Sequence, residues 1–292
     1  MMNTSYTYIN PLTDFGFKKL FGEEVNKKIL INFLNSLLES EQGRIVDIHY
    51  QNTVQLGISA DDRGAVFDLY CTNELGDHFI VELQRANQKY FIDRTVFYSS
   101  FLIQKQGKRR QNWNYELKAV YSIAIMNFAM DKSLFKKDKY LYRVKLTNIE
   151  THEIFYPKLT FIYLEIPKFT KRAIDLHTPI DKWMYLFKNL ETLKEIPENL
   201  KEIIFMKLMD KALIEQLPKI DRKNYQASIK RYRDSYSVLE TAVNKGISEG
   251  IDQRNNELVQ SAYKKGYSIS EIADFTSLSE EEIRGILEIE DL

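Results

Sequence analysis

The sequence predicts an α/β protein, a mixed sheet flanked by helices, followed by an α-helical C-terminal region. Three observations predict it. Apolar residues recur at helical spacing over 14–38 and again over 89–107. Short runs of strand composition lie between and after these stretches, so the order is helix, three strands, helix, strand. Tyr and Phe are abundant, 18 and 17, while Gly and Pro number 11 and 6, a balance that favours a packed core over disorder.

The first helical stretch carries Phe17, Leu20, Phe21, Ile29, Leu30, Phe33, Leu34, Leu37 and Leu38. Thr13 is its expected N-cap, and Gly22 is placed to divide it into two helices. Residues 45–56 read as extended through Ile45, Val46, Ile48, Tyr50, Val54 and Leu56. Ala65 to Tyr70 and Phe79 to Gln84 are the next two strands. The turn-rich segment Thr72 to Asp77, containing Gly76, joins them as a hairpin, with His78 read as a turn residue. Phe91, Ile92, Val96, Phe97, Phe101 and Leu102 give the helix that ends at Gly107, and Leu117 to Phe128 gives a buried strand. Two further strands are expected over 140–148 and 159–166.

From Asp181 the spacing predicts helices near 181–192, 198–216 and 221–244, with a joint at Lys245 to Gly250. Ser268 with Glu271, and Ser279 with Glu282, have capping-box spacing, and Gly266 suits a helix end. The expected division is a core over 1–180, a helical extension over 181–245 and a small helix-turn-helix-like module over 246–292.

Composition narrows the function. The single cysteine, Cys71, excludes an internal disulfide framework and fits a reducing compartment. Met1 to Tyr6 shows no basic segment followed by an apolar core, so no signal peptide is expected. The apolar stretch Ala119 to Met130 is too short to span a bilayer. A soluble, cytoplasmic protein without a membrane partner is the expectation. The 41 acidic and 41 basic residues cancel, which argues against a protein that coats nucleic acid. Local basic runs at Lys105–Arg110, Lys132–Lys145 and Lys219–Arg233 still provide the rim a phosphate backbone needs.

Asp68 and Glu82 are acids set inside apolar strand sequence. Such an acid is costly unless its charge is compensated. Two on adjacent strands can face one point, and a divalent cation is the natural compensation, because Mg²⁺ prefers carboxylate oxygens. Both could instead be hydrogen-bonded strand acids without a shared ligand. Gln84, two residues after Glu82, lies on the same strand face. The four histidines lack the spacing of a zinc site.

Asp68, the hairpin, and then Glu82-Leu83-Gln84 resemble the active-site pattern of the PD-(D/E)XK nuclease superfamily. The opening Asn10-Pro11-Leu12-Thr13-Asp14-Phe15-Gly16-Phe17-Lys18-Lys19-Leu20-Phe21-Gly22 is similar to that of the Rpn-type recombination-promoting nuclease and transposase family, as is Arg94-Thr95-Val96-Phe97-Tyr98. The resemblance covers roughly residues 8–170. It implies a restriction-endonuclease-like core and a metal-dependent DNA endonuclease that hydrolyses phosphodiester bonds with Mg²⁺, Mn²⁺ substituting, in recombination, transposition or defence. Asp68, Glu82, Gln84 and Asp14 would be the catalytic set, and Asp68, Glu82 and the carbonyl of Leu83 the metal ligands. The commoner superfamily pattern has Lys where this chain has Gln84, which hydrogen-bonds a water but adds no charge. That departure leaves a second reading, an inactive nuclease core serving as a nucleic-acid-binding or protein-interaction module.

Asp14 either completes a carboxylate cluster or is a helix N-terminal acid favoured by the macrodipole. Arg94 and Tyr98, four apart on one helix face, contact a phosphate, orient Glu82, or simply form an amphipathic face. Lys105 lies further along the same helix. Arg231 and Arg233 close a basic and aromatic stretch from Arg222 that suits either nucleic-acid contact or a solvated face. The would-be recognition helix begins Ser279-Glu280-Glu281-Glu282, whose acids repel phosphates, so a packing or regulatory module is favoured there over a DNA reader. DNA is the expected partner, and a homodimer is left open.

Overall fold

The computed structural model describes residues 6–55, 64–107, 114–130, 136 and 138–288. Residues 1–5, Leu56, Lys108 to Arg110, 131–135, 137 and 289–292 lie outside the described residues. Packing divides the chain into two units, Met1–Ile229 and Lys230–Leu292.

The first unit opens with α1 (Asp14–Phe21) and α2 (Lys27–Gln42), then β1 (Ile48–Tyr50), β2 (Val54–Gln55), β3 (Ala65–Val66), β4 (Leu69–Asn73) and β5 (His78–Gln84). Next come α3 (Phe91–Gln106), β6 (Val120–Met126), β7 (Leu141–Thr147), β8 (Ile154–Glu165), α4 (Pro179–Asn189) and α5 (Ile203–Ala212). The sixth helix, α6 (Lys219–Lys264), begins in this unit and ends in the second, which adds α7 (Ile269–Thr276) and α8 (Glu280–Leu287). Six strands form one mixed sheet in the order β1-β4-β5-β6-β8-β7. β5, β6 and β8 run parallel at its centre, while β1, β4 and β7 are antiparallel to their neighbours. β2 and β3 make a separate two-stranded ribbon. This is a restriction-endonuclease-like α/β fold with a helical C-terminal region.

Thr13 caps α1, its hydroxyl accepting the Gly16 N–H at 3.0 Å, and α1 ends at Gly22, where the spacing predicts the break. Both glycines answer to close approach. A Cβ on Gly16 would lie 2.1 Å from the Asn10 carbonyl oxygen, and one on Gly22 would meet Lys18 O at 2.8 Å and Leu69 at 3.1 Å. The opening of the chain therefore packs tightly against itself and against the residue that follows Asp68.

Aromatic rings fill the helical layer. Phe21, Phe33, Trp183 and Phe187 pack with centroids 5.4–6.2 Å apart, joining α1, α2 and α4, and Phe205 of α5 sits edge-on to Trp183. α3 packs on a sheet face carrying Tyr70, Ile80, Val120, Ala124 and Met126, with Leu102, Tyr98 and Phe91 as its contacts. Glu82 and Gln84 follow Ile80 on that face at the period of 2.

The structure departs from the sequence reading in five places. Residues 45–56 split into β1 and β2, because Asn52 turns the chain by accepting the Val54 N–H. Ala65 to Tyr70 is interrupted at Phe67 and Asp68, where the Phe67 N–H goes to Thr53 O and the Asp68 N–H to a side chain. His78 opens β5 and bonds the Tyr70 hydroxyl at 2.8 Å, so it is a strand residue and not a turn residue. β8 begins at Ile154, well before 159, because Tyr156 and Ile154 still pair with Leu146 and Thr147, the register shift that takes in Pro157, which has no N–H to give, leaving the pairing to resume beyond it. Finally, α6 runs unbroken through Lys245–Gly250, where a joint is expected. Gly246 and Gly250 keep helical backbone, and Lys245 pairs with Glu249 one turn on.

Ile272 of α7 and Ile283 of α8 pack on Val259 and Ala262 of α6 to make the small core of the second unit. Both predicted capping boxes form there. Among the described residues no helix is long and apolar enough to cross a membrane.

Candidate active site

Asp68 stands at the bend before β4, and Glu82 on β5 is 7 % exposed. The pairing of Leu69 with Val81 brings the two acids side by side. The Asp68 N–H donates to Glu82 Oε1 at 3.1 Å, and the Leu83 N–H donates to Asp68 Oδ2 at 2.7 Å. Each carboxylate is thus held by a backbone amide of the other strand. Neither has an ion-pair partner among the described residues.

Burial pushes both carboxyls up. Glu82 is raised by its burial and then by the Asp68 charge, opposed by the Asp68 N–H, Arg94 and Gln84, and reaches about 8. Asp68 is raised first by burial, while the Leu83 N–H, Lys18 and Arg85 lower it and Asp14 raises it. Two acids that resist ionisation side by side are a costly arrangement that a bound cation relieves.

Gln84, 7 % exposed, donates from Nε2 to Glu82 Oε2 at 3.2 Å and accepts from Arg94 Nη2 at Oε1. Arg94 Nη1 donates to Gln88 Oε1 at 2.7 Å, and the guanidinium lies 5.7 Å from the Tyr98 ring centroid and 5.8 Å from that of Phe91. Tyr98 meets Phe67 edge-on at 5.5 Å, bracing the residue before Asp68. Asp14, at the start of α1, pairs with Lys18 at 2.9 Å, and both are close enough to act on the Asp68 carboxyl. Lys105, eleven residues beyond Arg94, sits about 16 Å further along α3, over the Tyr70 ring at 5.2 Å. Arg231 and Arg233 belong to the second unit.

Asp68, Glu82, Leu83, Gln84, Arg94 and Tyr98 therefore meet in one network, with Asp14 at its edge, while Lys105 stands apart from it. Sequence reasoning did not single out Lys18 or Arg85 as charges on Asp68. Lys18 could have been found four residues after Asp14 in the opening motif, and Arg85 directly after Gln84. Among the described residues no group of three or more His, Cys, Asp or Glu side chains is gathered for a metal ion. The donor set is two carboxylates, and it suits a hard cation whose other ligands are backbone, water or phosphate oxygens, as Mg²⁺ accepts.

A mixed sheet with an Asp at the head of one central strand and Glu-x-Gln on the next defines a nuclease-like core of the PD-(D/E)XK kind. Residues 11–242 match the PD-(D/E)XK nuclease family transposase, and the chain belongs to that family. No curated protein and no solved structure matches it.

Proposed function

We propose that this protein is a Mg²⁺-dependent deoxyribonuclease that cuts DNA internally by phosphodiester hydrolysis, with Mn²⁺ able to replace Mg²⁺. The observation that carries the reading is the interlocked pair of buried carboxylates, Asp68 and Glu82. These two, with the Leu83 carbonyl, would hold the ion. When bound, the ion activates a water and neutralises charge developing on the phosphate. The chain's own residues do the rest. The Leu83 N–H fixes the Asp68 carboxylate, and the Asp68 N–H and the Gln84 amide together fix that of Glu82. Lys18 and Arg85 add positive charge beside Asp68, where an incoming phosphate would sit. Asp14 keeps Lys18 in place through their ion pair. Tyr98 and Lys105 on α3, and Arg231 and Arg233 on α6, are the proposed DNA contacts.

The test is cleavage of supercoiled and linear DNA with Mg²⁺, Mn²⁺ or chelator, run beside calorimetric titration of Mn²⁺. Asp68→Asn and Glu82→Gln should each lose both cleavage and Mn²⁺ binding while remaining folded. Cleavage that survives in either purified variant would sink the proposal.

A further inference from the structure

The proposed site is short of positive charge at the residue nearest Glu82. Gln84 is neutral, and phosphodiester cleavage builds negative charge. The guanidinium of Arg94 lies one amide further out. An arginine only donates and a carboxylate accepts, so the amide of Gln84 has one allowed orientation, oxygen towards Arg94 and nitrogen towards Glu82. Arg94 itself is clamped, with Nη1 on Gln88 and the rings of Phe91 and Tyr98 beside its plane. We infer that Arg94 is a positioning residue that locks Gln84 onto Glu82, and that Arg94 and Gln84 together serve as one relayed cation, so that neither residue can be exchanged without the other.

This rests on the nuclease reading of the same site. It assigns Arg94 to the interior of the site and away from gripping a distant phosphate, since both ends of its guanidinium are engaged within the protein. A lysine placed at position 84 would put its ammonium beside the guanidinium, and two adjacent cations repel. A lysine there works only if the arginine leaves.

The experiment is a charge-relocation cycle of Arg94→Met, Gln84→Lys and the double variant Gln84→Lys/Arg94→Met, with Arg94→Lys as a milder variant should Arg94→Met fail to fold. Folding is checked by circular dichroism, and kcat, KM for DNA, salt dependence and Mn²⁺ affinity are measured. Arg94→Met should lower kcat by roughly 10- to 100-fold while KM changes less than about twofold and the salt slope of DNA binding stays unchanged. Gln84→Lys alone should be equally impaired and should bind Mn²⁺ more weakly than the wild type. The double variant should regain most of kcat and Mn²⁺ affinity. A rise in KM with a shallower salt slope in Arg94→Met would make Arg94 a phosphate contact and overturn the inference, as would a double variant no better than either single one. If the wild-type protein cuts no DNA, the nuclease reading fails, and the Mn²⁺ affinities of the cycle still decide the relay: weakening in Gln84→Lys and recovery in the double variant support it, and equal affinities in all variants refute it.

Discussion

Asp68 and Glu82 hold one another through the main chain, each carboxylate accepting an N–H from the other's strand. The lock keeps two buried acids together with no ion-pair partner among the described residues, so the geometry needed for chemistry opposes stability in the metal-free protein. Natural sites often carry such a conflict.

The first prediction follows from that conflict. Asp68→Asn keeps an oxygen to accept the Leu83 N–H and removes the charge that raises Glu82. The metal-free variant should be more stable than wild type at pH 8, on the order of 1 kcal/mol, a rise in Tm of about 2–4 °C. Cleavage should be lost. Calorimetric melting in chelator measures the first part, and a plasmid assay the second.

The second prediction concerns pH. Burial, then the Asp68 charge, lift Glu82 from 4.5 to about 8 in the fold. In that window the folded state holds a proton the unfolded state has released, so stability is full below pH 4.5 and falls as pH rises through about 8. His78, whose pKa is lowered by burial, works in the opposite sense near its ordinary range. The Glu82 contribution is therefore read as the difference between wild type and Glu82→Gln in chelator. That difference should grow in favour of the variant from pH 5 to pH 9, and Mn²⁺ should abolish or reverse it. A flat difference counts against the burial of uncompensated charge.

The third prediction concerns the opening of the chain. Gly16→Ala places a methyl 2.1 Å from the Asn10 carbonyl, against main chain that cannot swing away. Overpacking of this kind costs about 1–3 kcal/mol, so Tm should fall by several degrees, and α1 should shift with Asp14 and Lys18. A melt indistinguishable from wild type would show that the contact yields easily.

The fourth prediction concerns truncation. Tyr225 accepts the Asn10 N–H at 2.9 Å and Ser228 the Phe15 N–H at 3.2 Å, and Asp221 pairs with Lys19 at 2.8 Å. A chain ending after Asn244 keeps all three and should fold and bind Mn²⁺. One ending after Pro218 also loses the buried Tyr225 side chain and should be destabilised by about 2–3 kcal/mol from that residue alone. Proteolysis and melting of the two truncations make the comparison.

Much of the core was legible because local rules and tertiary packing agree there. Thr13, Gly22 and the two terminal serines mark helix ends with their own side chains or lack of one, and the period of Phe17 to Leu38 matches the buried face. The pairing of Asp68 with Glu82 could be anticipated from a hairpin between two apolar runs. What escaped the sequence depends on distant partners. The bend at Asp68 exists because a carboxylate fourteen residues away takes its N–H. The role of Arg94 depends on the rotamer of Gln84, and the influence of Lys18 and Arg85 on Asp68 depends on where α1 docks. The unbroken α6 escaped for a different reason. Two glycines cost about 1 kcal/mol each in a helix, which flanking helix formers can outweigh over so long a segment.

The residues before and at the start of α1 also set an order of events during synthesis. Ile9 donates to Ala212, Ile214 donates to Thr7, and Asn10 and Phe15 donate to the start of α6. Residues 7–15 thus wait for partners made some two hundred residues later, a delay on the order of 10 s at ordinary elongation rates. Until Ser228 emerges, the Phe15 N–H in the first turn of α1 lacks its acceptor. The opening of the chain, with Asp14 and Lys18 in it, is therefore seated only after the start of α6 has been made.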